Sequence, residues 1–333
     1  MRHGVAPSDL GEQISRAIDP WVRHDALRLS GLSPSMGMGL AAFSFWHGHE
    51  TALGQALVRD SHLTANFRSR GGAAFADTVA GISAPHREDT SWQLLSNYGL
   101  GSELRLLLRD SRGVWGSVGL ARSQEKQPFQ RDDLRRADRL VPTLIGALRR
   151  YVTTGPLTPM VSALPAGVIV IGPDHGVKAI STEARDWIQL AWLPKHHRLP
   201  DWIAVAAAER LSIDTQAHLR DPRAWRPRVY APPTSVGRWI TLHGQALDED
   251  GTGDVAIIVQ AASGALLIPT FCDWYGITAR ERQVLESLST GRASKEIARQ
   301  LGVAVSTIND HLKAMFRKTG AHGRDELLAA ITN

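Results

Sequence analysis

The sequence predicts a multidomain protein in which two α+β domains, each an antiparallel sheet with flanking helices, precede an all-α domain of four helices. Three observations lead to this prediction. A chain of 333 residues is long enough for two or three domains. Up to about residue 265, short apolar runs alternate with glycine-containing turns, whereas the remainder has only helical periodicity. We expect domains of residues 1–152, 153–265 and 266–333.

The composition is that of a soluble globular chain. Hydrophobic residues make up 43% of the sequence, and the formal net charge of +5 permits a polyanionic partner. The single cysteine, Cys272, excludes a disulfide scaffold and fits a reducing compartment. The sequence opens without a signal-peptide pattern, and its longest apolar run is shorter than the roughly 20 residues of a spanning helix. We therefore expect a cytoplasmic protein without a membrane segment.

The first domain contains one clear hairpin. Two apolar runs, 103–108 and 114–121, flank a turn at 110–113 that contains a glycine. After the segment 128–132, apolar residues recur at spacings of three and four, which predicts one amphipathic helix ending at Arg150. The other predicted elements are a helix over 10–29, a strand over 38–46 and a helix over 51–58.

The second domain opens after a break at 153–156. It begins and ends with strand patterns and has a helical pattern between them, which predicts a small α+β domain with an antiparallel sheet. The predicted elements are strands over 166–171 and 177–180, a helix over 182–190, and a closing hairpin of strands over 239–247 and 255–261.

The third domain contains the strongest local signals. Thr278 and Glu281 have the spacing of a capping box, and Gly291 ends the helix that follows. Two further helices joined by a glycine turn, the second of them the longer, are typical of a helix-turn-helix unit. The elements expected here are a short helix over 295–301 capped by Ser294, a turn at Gly302, a helix over 305–318 stopped by Gly320, and a last helix over 324–331.

The helix predicted over 305–318 has two distinct faces. Successive residues of a helix are rotated by about 100°, which places the apolar side chains on one face. The other face carries hydrogen-bond donors, hydrogen-bond acceptors and cations, the groups that contacts with base edges and phosphates require. Any solvated surface helix carries charges outward, so the DNA-binding interpretation depends on the preceding capping box, short helix and glycine turn as well. The apolar face consists of Val305, Ile308, Leu312, Met315 and Phe316, and the polar face of Ser306, Asn309, Asp310, Lys313 and Arg317.

The third domain resembles the LuxR/GerE/FixJ-type helix-turn-helix. The resemblance implies a bacterial transcription regulator whose four-helix domain binds double-stranded DNA as a homodimer. It also implies that the two copies commonly pair through the final helix. By position it also implies base contacts from Asn309, Asp310 and Lys313, and phosphate contacts from Thr307, Lys295 and Arg317. The resemblance is carried by residues 277–285 (ITARERQVL), Gly291, 295–298 (KEIA), Leu301, Gly302, Thr307, Ile308, His311, Leu312, Arg317, Lys318 and Arg324.

Two residues depart from the family pattern. Ala304 stands where the family usually has a capping Ser or Thr, and we expect Ser306 to compensate by starting the helix later. Asp310 stands where many members have a neutral or basic residue. It could accept a hydrogen bond from cytosine N4, or it could complement the dipole at the helix N-terminus.

The first two domains resemble sensor modules. Residues 1–151 resemble a GAF domain through 113–122 (GVWGSVGLAR), Pro128 and Phe129, and residues near 160–262 resemble a PAS domain through 164–171 (LPAGVIVI) and Ala184. Both folds enclose a ligand between a sheet and its helices, which implies DNA binding modulated by a small apolar or aromatic ligand. The candidate pocket residues are Phe43, Phe45, Trp46, Trp92 and Trp115, which could equally form ordinary core.

No catalytic, metal or cofactor motif is present in a suitable context. The histidine pairs His47/His49 and His196/His197 have no convincing set of partner ligands, so no metal site and no cofactor are predicted. We expect a protein that is not an enzyme. Two alternatives stay open: the first two domains could bind a partner protein, or they could retain an enzymatic activity toward a small molecule.

Overall fold

The computed structural model describes residues 7–36, 40–59, 80–83, 90–191, 202–221 and 226–332. Two antiparallel sheets with flanking helices occupy the chain up to about residue 262, and only helices follow. None of the helices in the described segments combines the length and apolar composition needed to cross a bilayer.

The first sheet has the strand order β2-β1-β5-β4-β3, with every neighbouring pair antiparallel. Its long central hairpin, β4–β5, is the one that the apolar runs predicted. The elements of this part are α1 (Pro7–Ile18), β1 (Ala26–Gly31), β2 (Phe43–His47), α2 (Thr51–Arg59), β3 (Ala80–Ser83), α3 (Thr90–Asn97), β4 (Leu100–Asp110), β5 (Gly113–Ser123), α4 (Arg131–Asp138) and α5 (Val141–Thr153).

The two faces of the first sheet differ in chemistry. The register places Phe45, Leu29, Val118 and Leu106 side by side, and we call the face that carries them the docking face. These four side chains belong to a large core that continues into helix α5 and into the helical C-terminal part. Residues one position along each strand project to the opposite side, called the charged face, which carries Arg28, Glu103 and Arg105.

The second sheet has the strand order β7-β6-β10-β9-β8, again antiparallel throughout. Each sheet therefore follows the same internal order of second, first, fifth, fourth and third strand, so the two sheets are topologically equivalent. The elements are β6 (Gly167–Ile171), β7 (Val177–Ile180), α6 (Thr182–Ala191), α7 (Trp202–Arg220), β8 (Arg228–Ala231), α8 (Pro233–Val236), β9 (Ile240–Ala246) and β10 (Val255–Ala261).

Three predicted elements of the first domain are wrong in extent. The helix predicted over 10–29 ends at Ile18, because Pro20 cannot continue it, and the chain enters strand β1 at Ala26. The strand predicted over 38–46 is observed only from Phe43 to His47, and residues 38 and 39 lie outside the described residues. The helix predicted to reach Arg150 is two helices, α4 and α5, because Pro142 lacks an N–H and stands in the first turn of the second.

Three elements of the second domain were not predicted: helix α7, strand β8 and the short helix α8. The polar residues of α7 hide its helical pattern, because several of them are buried rather than exposed. Arg210 and Asp214 form an ion pair 3.0 Å long with both side chains buried. Glu209 pairs with Arg59 of α2, and this contact joins the two sheet-containing parts.

Candidate DNA-binding surface

The helical C-terminal part begins with a short helix, α9, and continues with four more. The observed elements are α9 (Ile268–Tyr275), α10 (Ala279–Ser289), α11 (Ser294–Leu301), α12 (Val305–Thr319) and α13 (Arg324–Thr332). Buried side chains of α10 to α13, among them Val284, Ile297, Ile308 and Leu327, form one core.

The predicted capping box at the start of α10 is confirmed. The Thr278 hydroxyl accepts a hydrogen bond from the Glu281 amide at 3.3 Å, and the Glu281 carboxylate accepts one from the Thr278 amide at 2.7 Å. The same carboxylate accepts a second hydrogen bond, from Lys318 Nζ at 2.6 Å, which ties α12 to the start of α10. Lys318 therefore faces the domain interior rather than the exposed surface.

The turn between α11 and α12 is made by Gly302. Its φ of +64° lies in the left-handed region, which an L side chain adopts only with strain. The turn is held from α10, because Arg280 donates a hydrogen bond to the Leu301 carbonyl at 2.9 Å. This arrangement fixes the angle at which α12 leaves the domain.

The buried face of α12 is the predicted one with one exception. Ile308, Leu312 and Met315 are buried, and Phe316 packs against the same core. Val305 was predicted on this face but is 38% exposed, because it is the first residue of the helix and lies beyond the edge of the core.

The opposite face of α12 is open to solvent. Lys313 Nζ lies 3.9 Å from Asp310 Oδ1, but both side chains are about three-quarters exposed (77% and 75%), so this pair is weak and both groups stay accessible. Thr307 is half-buried at the margin of the face, and Lys295 is exposed on α11. The exposed positions of the face are Ser306, Asn309, Asp310, Lys313 and Arg317.

Two predicted helix caps are wrong. Helix α12 begins at Val305 with Ala304 in the extended N-cap conformation, so Ser306 lies within the first turn and does not start the helix later. Helix α11 begins at Ser294 rather than after it, and its N-cap is Ala293. The alanine side chain has no hydrogen-bond acceptor and cannot cap the helix. The N-terminal end of α11 is held instead by the Glu296 carboxylate, which accepts a hydrogen bond from the Ala293 amide at 3.0 Å.

The exposed face of α12 can therefore make several kinds of contact with DNA. Hydroxyl and amide groups can pair with base edges, a lysine and an arginine can pair with bases or phosphates, and a carboxylate can accept from an amino group. Sequence reasoning missed the exposed Val305, which adds an apolar group suited to a thymine methyl. Its position as the first residue of the predicted helix, next to Ser306, was the sequence feature that could have indicated its exposure.

The aromatic residues proposed as a pocket lie on two sides of the first sheet. Phe43 and Trp115 each pack against Trp274 of α9, with ring centroids 5.7 and 5.4 Å apart, and Phe45 is buried beside Phe43. Trp46 is on the charged face, where it meets the His49 ring. The side chain of Trp92 lies outside the described residues. The four described side chains therefore do not line one cavity.

Helix α9 connects the four helices to the docking face. The Asp273 carboxylate accepts hydrogen bonds from the Ser33 hydroxyl at 2.6 Å and from the Ser35 amide at 2.8 Å. Trp274 is buried between aromatic rings of the sheet. Cys272 is also buried, and burial raises the pKa of its thiol to about 12, which keeps it protonated and unreactive.

The histidines singled out in the sequence form no described metal site. Within the described segments, the chain has no group of three side chains that could bind a metal ion together. His49 Nδ1 lies 3.1 Å from the His47 carbonyl oxygen, and burial, together with the nearby Arg28, lowers the pKa of His49 to about 4. His196 and His197 lie outside the described residues.

Two solved structures that the chain is similar to are distant in sequence. The chain is 14% identical to a GAF domain/HD domain protein from Geobacter sulfurreducens, over 44% of this chain and 96% of that one, with a TM-score of 0.31. It is 11% identical to Escherichia coli SdiA, over 99% and 90% of the two chains, with a TM-score of 0.30.

The C-terminal part has clear relatives in sequence. The family model GerE, described as bacterial regulatory proteins of the luxR family, matches residues 276–330. The monoamine regulon transcriptional regulator of Klebsiella aerogenes is 40% identical over 53 residues, which are 16% of this chain and 23% of that protein. The spore germination protein GerE of Bacillus subtilis (strain 168) is 33% identical over 55 residues, 16% of this chain and 74% of that protein. Through these residues, which include the observed helix-turn-helix, the chain belongs to the luxR family of bacterial regulatory proteins.

Proposed function

We propose that the protein is a cytoplasmic one-component transcriptional regulator that binds operator DNA as a homodimer through helices α11 and α12. In this proposal, residues 1–152 and 153–265 are GAF-like and PAS-like domains, and residues 266–333 bind DNA. A ligand or a partner sensed by the first two domains shifts the population that is competent to bind DNA.

One observation carries the DNA-binding part of the proposal. Every member of the polar face of α12 is exposed, while Ile308, Leu312 and Met315 on the other face are buried. No other element covers this face within the described segments, and the major groove of DNA admits an α-helix. Asn309, Asp310 and Lys313 would contact bases. The groups assigned to phosphates and the edge of the groove are Thr307, Lys295, Arg317 and Ser306.

The modest charge of the DNA-binding part supports a dimer. Nine Lys and Arg residues stand against seven Asp and Glu residues between Ile268 and Asn333. A single domain with so little excess charge gains little from phosphate contacts, so pairing across two half-sites would supply the missing affinity.

The test begins with duplexes selected from a randomised pool by the full-length protein, followed by fluorescence anisotropy on the enriched sequence. If Lys313 reads a base, Lys313→Ala weakens binding by about 1–3 kcal/mol at one base position and relaxes specificity there. Sedimentation of the complex should give two chains per duplex. Arg135→Ala is the matched control, because it removes one exposed cation from helix α4, outside the DNA-binding part.

Two results would contradict the proposal. The first is that the selection enriches no duplex and the full-length protein binds no DNA. The second is that Lys313→Ala and Arg135→Ala weaken DNA binding equally, which would mean that DNA binding depends only on the net charge of the protein. A uniform loss across all duplexes in Lys313→Ala alone would reassign Lys313 to a phosphate contact.

A further inference from the structure

A narrow cleft lies where three parts of the chain meet. Its walls are the segment that follows strand β1, the edge strand β8 of the second sheet, and helix α9. The cleft has a volume of about 270 Å³ including the part open to solvent, and its interior has room for about one water molecule. A molecule held in this interior would lie among all three parts.

The lining of the cleft is partly apolar and partly polar. Leu32 and Val229 are among the apolar residues of its walls. The lining residues whose side chains can donate or accept hydrogen bonds are Ser33, Arg228, Tyr230 and Thr270. Cavities that stay empty are lined by apolar groups, whereas a small space with several polar neighbours is typical of a site for ordered water.

Thr270 is a lining residue whose hydroxyl is buried without a partner. The residue is 1% exposed, and within the described chain its Oγ1 makes no hydrogen bond. A threonine in a helix can donate its hydroxyl to the backbone carbonyl one turn earlier, but Thr270 makes no such bond. A buried hydroxyl without a partner costs free energy, so a partner from outside the chain is favoured at this position.

Strand β8 can contribute backbone groups to the cleft as well as side chains. It is the last strand of its sheet and pairs with β9 alone. The Gly244 amide donates to the Pro227 carbonyl at 2.8 Å, and the antiparallel ladder alternates from that pair onward. The alternation directs the backbone N–H and C=O of Tyr230 away from β9, toward the free edge of the sheet.

Helix α9 makes no direct hydrogen bond to β8 among the described residues. Its bonds to the sheet-containing parts lead instead to the segment after β1 and to helix α5. A water molecule in the cleft would have Thr270 of α9 on one wall and Tyr230 of β8 on another. It would therefore supply a polar contact between α9 and the second sheet that the chain itself does not make.

We propose that the cleft is a binding site for one ordered water molecule, which pairs with the Thr270 hydroxyl and with polar groups of β8. The C-terminal helical part is then attached to the segment after β1 by direct hydrogen bonds and to the second sheet by a water-mediated one. This inference goes beyond the proposed function and holds whether or not the protein binds DNA.

The first test is a crystal structure of the full-length protein at a resolution that shows ordered solvent. We expect a water peak inside the cleft, at a hydrogen-bonding distance of about 2.6–3.2 Å from Thr270 Oγ1. The same water should have at least one further polar partner on β8, because buried waters usually make two to four hydrogen bonds, that is about three.

The second test is Thr270→Val, which removes the hydroxyl but keeps the branched shape of the side chain. Loss of an unpaired buried hydroxyl should stabilise the protein, whereas loss of a hydroxyl that a water pairs should destabilise it. We expect the variant to melt at a lower temperature than the natural protein. Hydrogen exchange of α9 and β8 should accelerate by about threefold or more, the loss of one ordinary hydrogen bond.

Thr241→Val is the matched control. Thr241 lies on β9, is 6% exposed, and also has a hydroxyl without a partner within the described chain, but it does not line the cleft. We expect Thr241→Val to leave the exchange of α9 unchanged and not to lower the melting temperature, because no water of the cleft depends on that hydroxyl.

The proposal is overturned if the crystal structure shows ordered solvent elsewhere but no water beside Thr270. It is also overturned if Thr270→Val is as stable as the natural protein or more stable, or if Thr241→Val accelerates exchange in α9 equally. If Thr270→Val fails to fold, the structure of the natural protein still decides the question.

Discussion

A single carboxylate, that of Glu281, ties both ends of the DNA-binding unit together. It accepts from the amide of Thr278 and from Lys318 Nζ. Burial alone would raise the pKa of Glu281, but the lysine and the Thr278 donors outweigh burial and hold the pKa below its ordinary value of 4.5. The unit that presents α12 therefore depends on an ionised acid in its interior.

This depressed pKa predicts the direction of a pH effect. A carboxyl group that is more acidic in the folded state stabilises the fold above its unfolded-state pKa, and that contribution is lost as the pH falls through the folded-state value. We expect hydrogen exchange of α10 and of the last turn of α12 to accelerate as the pH drops below about 4.5, after correction for intrinsic exchange.

The control is Glu281→Gln, which keeps the shape of the side chain but cannot titrate. We expect it to exchange faster than the natural protein at neutral pH and to lose the acid-dependent component. An equal acid response in the two proteins would assign that response to other carboxyl groups.

At the scale of elements, the angle between α11 and α12 depends on Gly302. The space around it is open, since an added Cβ would meet no atom within 4 Å, so only the left-handed backbone resists substitution. Gly302→Ala should therefore destabilise the pair of helices by about 1–2 kcal/mol, measured as faster hydrogen exchange in α11 and α12. Gly302→Asn should cost less, because asparagine tolerates this conformation better.

Equal effects of the two Gly302 variants would mean that backbone conformation is not what the position requires. An effect confined to α13 would mean that the turn is not what holds α12 in place.

Elements were predictable from the sequence where their signals were local. The β4–β5 hairpin has its glycine turn within a few residues, and α10 has its capping box and apolar stripe together. Helix α7 was missed because its buried ion pair conceals the stripe. The polar face of α12 followed from rotation alone, whereas the placement of Phe43 and Trp115 against Trp274 did not, because that contact joins segments far apart in sequence.

At the scale of the whole molecule, Asp273 is one of the polar links between α9 and the part of the chain that forms the first sheet. Its carboxylate accepts two hydrogen bonds within the described residues, one from Ser33 and one from Ser35 in the short helical turn Pro34–Met36. Asp273→Ala removes two charge-assisted bonds, so we expect hydrogen exchange in α9 to accelerate about tenfold or more. Asp273→Asn keeps an acceptor oxygen and should show a smaller effect.

Unchanged protection of α9 in Asp273→Ala would mean that Trp274 and its aromatic neighbours hold the helix without help. In that case the hydrogen bonds would contribute little to how the DNA-binding part is attached.

Phe45 and Trp46 are consecutive residues that point to opposite sides of strand β2, one toward the α9 contacts and the other toward Arg28. A molecule seated beside Arg28 could not touch α9, since the thickness of the sheet separates them. Any influence of such a molecule on DNA binding would therefore be heterotropic and non-competitive. The affinity for DNA would then approach a plateau at saturating ligand instead of falling to zero.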